Sequence, residues 1–286
     1  MNPIRTVLRQ VAWVRRHPIA GRTPVASVLR VWRRQFSARV DGARVVPFVG
    51  GLRLRIGPGR SVANACHDGG LSAPVEMAAV THLLREGELF VDIGANLGAF
   101  TLLAAGIAKA RVLAIEPAPE TLPWLREHIT LNGLSDRVEV AATALSDAPG
   151  EIRMTAGLGA SNRVSDDGIA VPVTTLDALL GGRVPTLIKL DVEGHEAPVL
   201  RGAAATLAHP ALLGLVVETR GHGDENAVDA LCRAAGLAPH AYDPFARRFT
   251  QLVAPQFGDT FYLRDAAEAG RRATAAPILN VRGVKL

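Results

Sequence analysis

The chain has 286 residues, 48% of them apolar and 21% charged, with a net charge of +5. That apolar content supports a sizeable core and excludes wholesale disorder, and the length fits one large α/β domain with a short extension or two small domains. Two cysteines, Cys66 and Cys232, are too few for a disulfide framework and lack metal-ligand spacing; they read as small buried hydrophobes in a reducing compartment.

Residues 1–40 hold nine arginines (Arg5, Arg9, Arg15, Arg16, Arg22, Arg30, Arg33, Arg34, Arg39) and no acid, so the remainder is mildly acidic. Ile4, Val7, Leu8, Val11 and Val14, then Val25, Val28, Leu29, Val31 and Trp32, recur at helical spacing on either side of His17-Pro18 and Gly21. Two short basic amphipathic helices are expected. Arginines interrupt the apolar positions, which argues against a signal peptide, and no stretch approaches the ~20 apolar residues of a membrane span. Such an arm either packs on the domain with a solvated arginine face or is drawn to anionic lipid or an acidic substrate. Nucleic-acid binding lacks support, since no aromatic interleaving or basic fold motif accompanies the arginines. A cytoplasmic protein is expected, with the inner membrane face as the place of any peripheral contact.

Residues 44–59 read as a strand or hairpin preceding the main sheet. From Glu88 strands and helices alternate: strand 89–93, helix 100–110, strand 112–115, helix 119–132 stopped by Asn132-Gly133, and strand 138–142. Residues 146–174 form a polar, glycine-containing insertion expected to hold a hairpin, 151–154 with 170–173; a long insertion beside a strand end is either a lid or a surface excursion. Then come strand 187–190, helix 195–207, strand 212–217, helix 224–235 and a late strand 260–263 near the sheet edge. This βαβα order implies a mainly parallel sheet with helices on both faces, and ligands at the carboxyl ends of its strands.

The turn Asp92-Ile93-Gly94-Ala95-Asn96-Leu97-Gly98 follows a strand and opens a helix, as a nucleotide-binding turn does. Gly94 permits close ligand approach and Gly98 lets the helix start near the sheet. The spacing is G-x-x-x-G rather than G-x-G-x-x-G, and Asp92 would oppose a pyrophosphate. S-adenosylmethionine carries an ammonium and a sulfonium instead, so an aspartate beside it is favourable. Glu116 follows the second strand, 18 residues beyond Gly98, where a carboxylate can accept both hydroxyls of a ribose diol. Backbone near Ala144 is the expected adenine contact, because 141–146 contain no acid.

A second motif, Ile188-Lys189-Leu190-Asp191-Val192-Glu193-Gly194-His195-Glu196, ends the fourth strand of the alternation. With residues 90–98, Ile115-Glu116-Pro117, Ala144-Leu145-Ser146-Asp147 and Val199-Leu200-Arg201-Gly202-Ala203, it makes the chain resemble the FkbM-type methyltransferases. The likeness is strong over 84–203 and weaker over 46–263. It implies a class I methyltransferase Rossmann-like α/β fold, S-adenosylmethionine as cofactor, and methyl transfer to a hydroxyl of a sugar, polyketide or similar small-molecule or glycan acceptor. The domain expectation is a basic helical arm, 1–40, and a methyltransferase domain, 41–286, with its core at 71–264.

Transfer of a methyl from a sulfonium needs an aligned oxygen and a proton acceptor. Asp191, at a strand end, is the favoured positioning or basic group; His195 titrates near neutrality and is the alternative base. Glu193 and Glu196 either act at the site or cap the next helix, and Glu218 lines the acceptor side or is a solvated strand end. No metal-specific spacing is present, although Asp191, Glu193 and Glu218 could converge on a hard cation. A nicotinamide oxidoreductase and a non-catalytic membrane-associated module are the competing classes.

Overall fold

Consecutive residues of one short strand point to opposite sides of a sheet here, and both sides are dry. Phe90 and Val91 are each fully buried, one in each of two large apolar clusters. A strand buried on both faces reads as a continuous apolar run, the signature of a parallel sheet between helical layers. The computed structural model describes residues 3–40, 42–155, 157, 162–165, 167–219 and 224–286, with side chains outside the description at 3–7 and 37–40. Ile4, Val7, Arg5 and Arg39 of the expected basic helices therefore lie outside the described side chains.

In chain order the elements are α1 (Pro3–Arg16), α2 (Pro24–Val40), β1 (Arg44–Pro47), β2 (Arg53–Ile56), α3 (Ser61–Gly69), α4 (Pro74–Leu83), β3 (Leu89–Ile93), α5 (Ala99–Gly106), β4 (Arg111–Ile115), α6 (Leu122–Leu131) and β5 (Val138–Ala141). There follow β6 (Ala144–Leu145), β7 (Gly150–Met154), β8 (Ile169–Thr174), α7 (Leu176–Leu180), β9 (Leu187–Leu190), α8 (Glu196–Arg201), α9 (Ala204–Ala208), β10 (Gly214–Thr219) and α10 (Glu225–Ala234). The chain ends with β11 (Ala238–Asp243), β12 (Arg248–Gln251), β13 (Gly258–Leu263), α11 (Ala266–Ala275), β14 (Asn280–Val281) and β15 (Val284–Lys285).

The main sheet has the order β12-β11-β13-β10-β9-β3-β4-β5. Strands β10, β9, β3, β4 and β5 run parallel, while β13, β11 and β12 are added through antiparallel pairs, so that β13 and β12 run against them and β11 with them. The chain moves outward from β3 to β5, then returns to lay β9 on the other side of β3. The strand order thus reverses between β3 and β9, and a crevice opens at their carboxyl ends.

Residues from α4, α5 and α6, among them Met77, Leu102, Leu103, Leu125 and Ile129, cover the face carrying Phe90, Val112 and Ala114. Residues from α7 to α10, among them Leu180, Val199, Leu200 and Val228, cover the face carrying Val91, Leu113 and Ile115. Cys66 and Cys232 are both buried, and burial pushes the Cys66 thiol up to about 11.

The expected strands and the hairpins at 44–59 and 150–174 form as read, with part of the 146–174 insertion outside the described residues. Two expectations need correction. The late strand β13 is antiparallel but interior, between β10 and β11; the sheet edge is the unforeseen hairpin β11–β12. The single helix expected over 195–207 breaks into α8 and α9 at Gly202, where a Cβ would stand 2.0 Å from the Ser146 carbonyl oxygen. The buried helix α4 and the C-terminal α11 were not foreseen. In α11, Asp265 caps by accepting the Glu268 N–H at 2.8 Å.

The two basic helices form and pack on the domain. His17 Nε2 donates to the Leu71 carbonyl at 2.8 Å while its Nδ1 accepts the Ile19 and Ala20 N–H groups, and Arg34 forks onto Asp68 at 2.7–3.0 Å. Among the described residues no helix is long and apolar enough to cross a membrane.

Candidate active site

The first site loop is shaped by its glycines. Gly94 has φ +73 and packs so tightly that a Cβ there would lie 1.9 Å from the Asp191 carbonyl oxygen. Both Gly94 and Ala95 donate their N–H groups to the Ile115 carbonyl at 3.0 Å, so the end of β3 folds over the end of β4. Asn96 adopts φ 51, and its Oδ1 accepts the Leu97 N–H at 2.8 Å, the local bonding that lets asparagine enter this region. Gly98 precedes α5 at φ 84 and meets Leu125 rather than the cavity.

A cavity of about 260 Å³ opens above this loop, lined by Gly94, Asn96, Phe100, Glu116, Thr143, Ala144, Lys189, Asp191, Glu193, His195 and Glu218 among others. Five strand ends and the loops after them supply these residues. Most of the site residues read from sequence converge there; Asp92, Gly98 and Glu196 do not line it.

Glu116 is buried just past β4. Its Oε2 accepts the Asn96 N–H at 2.8 Å and its Oε1 accepts the Ala118 N–H at 2.9 Å. Burial pushes its carboxyl up, and these two backbone donors oppose that shift. Each carboxylate oxygen has two acceptor sites, so both can still take a hydroxyl from the cavity side.

Asp92 is wholly buried behind the loop. Thr101 on α5 donates to its Oδ2 at 2.6 Å, and the Lys189 ammonium lies 3.8 Å from its Oδ1. Burial pushes Asp92 up, against Lys189 and Thr101. Direct contact with a cationic ligand is the expectation for Asp92; its carboxylate stands behind the wall, with the Lys189 ammonium beside it. The carboxylates on the wall itself are Glu116, Asp191, Glu193 and Glu218.

Lys189 is the buried cavity residue that sequence reasoning passed over. Its signal was visible, a lysine inside the apolar strand Leu187–Leu190. Its Nζ donates to the Gly94 carbonyl at 3.0 Å, stands 3.1 Å from Asp191 Oδ2, and lies 5.1 Å from the Phe100 ring centre. Burial alone lowers a lysine, but Asp191 and Asp92 outweigh it and hold this ammonium above its ordinary value.

Asp191 is half-buried, and ligand atoms of Asp191, Glu193 and Glu218 all lie within 4.8 Å of one another. Oxygens that close suit a hard cation or a cationic group. Glu193 has φ 55, a strained backbone for a non-glycine residue at a cavity wall. His195 stands at the start of α8 with Nε2 3.0 Å from Ser146 Oγ; burial lowers its pKa against the raising effect of Asp147. Glu196 turns away. Its carboxylate accepts the Val192 N–H at 3.0 Å and the Gly194 N–H at 3.0 Å, so it clamps the 192–194 turn instead of meeting substrate.

Residues 92–248 match the family model described as the methyltransferase FkbM domain. The chain is 31% identical over 177 residues to the hexuronic acid methyltransferase AglP of Haloferax volcanii, a match covering 57% of this chain and 70% of that protein. It is 29% identical over 118 residues to the ribosomal protein L11 methyltransferase of Syntrophomonas wolfei, covering 38% of each. Among solved structures it is similar to P. horikoshii TYW2 in complex with MeSAdo, at 16% identity and a TM-score of 0.42, covering 79% of this chain and 73% of that one.

Proposed function

We propose that this chain, which belongs to the methyltransferase FkbM family and is an S-adenosylmethionine-dependent methyltransferase, methylates a hydroxyl of a sugar or a related glycan or metabolite. The observation that carries this reading is the shape of one cavity. At one end Glu116 keeps acceptor capacity for a ribose diol, and at the other Asp191, Glu193, Glu218 and His195 gather around open space. The similarity to AglP, a hexuronic acid methyltransferase, supports a sugar as the acceptor class.

When bound, the cofactor supplies an electrophilic methyl on a sulfonium that leaves as a neutral thioether without acid assistance. The protein's part is then alignment and proton removal. Glu116 would fix the ribose, the Gly94 and Asn96 backbone would seat the chain against the loop, and backbone near Ala144 would meet adenine. The carboxylates of Asp191, Glu193 and Glu218 favour the cationic end over a dinucleotide's phosphates. Asp191, oriented by Lys189, would hold the acceptor hydroxyl, and neutral His195 would take its proton.

The three clustered carboxylates favour one variant of the same reaction, in which a divalent cation lowers the hydroxyl's pKa. Turnover that survives exhaustive chelation removes that variant. The main reading is tested by incubating the protein with labelled cofactor and hexuronic acid glycosides, then locating a gained methyl by fragmentation. Methyl on oxygen supports it. Methyl on nitrogen or carbon, or turnover only with protein substrates, defeats it.

A further inference from the structure

The arm presents an apolar stripe that the fold leaves uncovered. On α2, Val25, Leu29, Trp32 and Phe36 are 73%, 45%, 45% and 71% exposed. With 3.6 residues per turn, these four positions fall within an arc of about 60°. The opposite side of α2 is what attaches it: Ser27 and Val31 are buried, Arg30 donates to the Asp68 carbonyl at 3.2 Å, and Arg34 forks onto the Asp68 carboxylate. The Trp32 indole N–H donates to Gln10 Oε1 at 3.2 Å, which ties the stripe to α1. The domain therefore fixes where the stripe faces.

Its surroundings are cationic. Arg33 and Arg44 line one shallow groove with Leu29, Trp32 and Phe36. Arg9, Arg15, Arg16 and Arg22 are exposed on the same helical hairpin, and residues 1–40 contain no acid. Single exposed apolar residues are ordinary. Four in register on one helix, two of them aromatic, beside arginines alone, form the pattern of an interfacial helix. A second copy of this chain is a poor occupant, because it would set arginines against arginines.

We propose that the α1–α2 hairpin docks in the plane of an anionic bilayer, with Val25, Leu29, Trp32 and Phe36 entering the boundary between headgroups and acyl chains and the exposed arginines meeting lipid phosphates. Tryptophan suits that boundary, with an apolar body and one polar N–H. The inference is independent of what the active site methylates.

The test is co-sedimentation of the full chain with vesicles of phosphatidylcholine alone and of phosphatidylcholine mixed with phosphatidylglycerol. The protein should pellet with the mixed vesicles and not the neutral ones, and added salt should release it. Val25→Ser combined with Phe36→Ser should cut the partition at least tenfold, and each of Arg15→Gln and Arg33→Gln about fivefold. These side chains are exposed, so unchanged melting and unchanged cofactor binding certify that the variants fold. Equal pelleting with both vesicles, or none with either, overturns the proposal. So does a dimer in vesicle-free solution that the Val25→Ser, Phe36→Ser chain fails to form, since the stripe would then belong to a second copy.

Discussion

Lys189 Nζ stands 3.1 Å from the Asp191 carboxylate while also donating to the Gly94 carbonyl, so one buried cation joins the end of β9 to the loop after β3. Three anionic or carbonyl partners, with Asp92 as the third, surround it.

Lys189→Met should therefore be severely destabilising. Removing one member of a buried ion pair leaves an uncompensated charge and costs about 3–5 kcal/mol. Adding Asp92→Asn should recover part of that loss, because the orphaned carboxylate is then gone. Urea unfolding of the two single variants and the double variant measures the coupling. Purely additive losses would mean that Lys189 and Asp92 do not act as a pair.

Glu116→Gln should weaken S-adenosylmethionine by about one to two orders of magnitude, since a hydrogen bond to a charged acceptor contributes about 1.5–3 kcal/mol. Glutamine keeps one acceptor for the Asn96 or Ala118 N–H, so the loop should persist. Isothermal titration reads the affinity. Full affinity in this variant would move the ribose elsewhere in the cavity.

His195 is lowered from 6.5 by burial, so its neutral, proton-accepting form persists below that pH. The rate kcat/KM should stay level as pH falls to about 6.5 and decline only below it. His195→Asn should lower the rate by about 10²–10⁴-fold and abolish that acid limb. A slower enzyme that keeps the limb would leave His195 a positioning role only.

His82 is fully buried, with Nδ1 2.7 Å from the Tyr242 hydroxyl, and burial brings its pKa down to about 4. The folded value lies below the unfolded one, so between pH 6.5 and about 4 the unfolded chain binds the extra proton. This contribution to stability is complete above pH 6.5, fades as pH falls, and levels off below about 4. The buried carboxyls of Asp92, Glu116 and Glu196, all raised, act in the opposite sense. A comparison with His82→Gln isolates the histidine: its melting temperature should fall less steeply over this range than that of the parent. Identical slopes would show that His82 does not set the acid sensitivity.

Gly94→Ala and Gly133→Ala separate steric approach from backbone strain. Both glycines have positive φ, but a Cβ at Gly133 meets nothing within 4 Å, whereas at Gly94 it collides with Asp191 backbone. Gly133→Ala should cost about 1–2 kcal/mol and leave cofactor binding intact. Gly94→Ala should lose binding altogether, as measured by titration. Retained affinity would mean that β3 and β9 can separate without harm to the site.

The glycine loop and Glu116 were legible because their causes are local: a turn, a strand end and a spacing. Asp92 was legible as a residue but not in its placement, since its burial depends on Thr101 and on Lys189 from another strand. Lys189 stood in plain view, yet the importance of a charge inside an apolar strand depends on what that strand lies beside. Helix α4 escaped because it is buried on nearly all sides and shows no amphipathic period. The need for glycine at 202, where the helix breaks, comes from the close approach of the Ser146 carbonyl, far away in the chain, which no local pattern announces. Hairpin β11–β12 mixes Pro239, His240 and Tyr242 without clean alternation, and the strand period is lost there.

Lys189 also sets a timetable. Lys189 and Gly94 are 95 residues apart, so the loop after β3, which bonds to Ile115 and Glu116 at the end of β4, gains its Lys189 partner only once β9 is present. At ordinary elongation rates the ribosome needs about 5–20 s to cover that distance. A nascent chain halted before β9 therefore has that loop without its Lys189 tie. The part of the cavity wall that Lys189, Asp191 and Glu193 supply is complete only when the second half of the polypeptide has arrived.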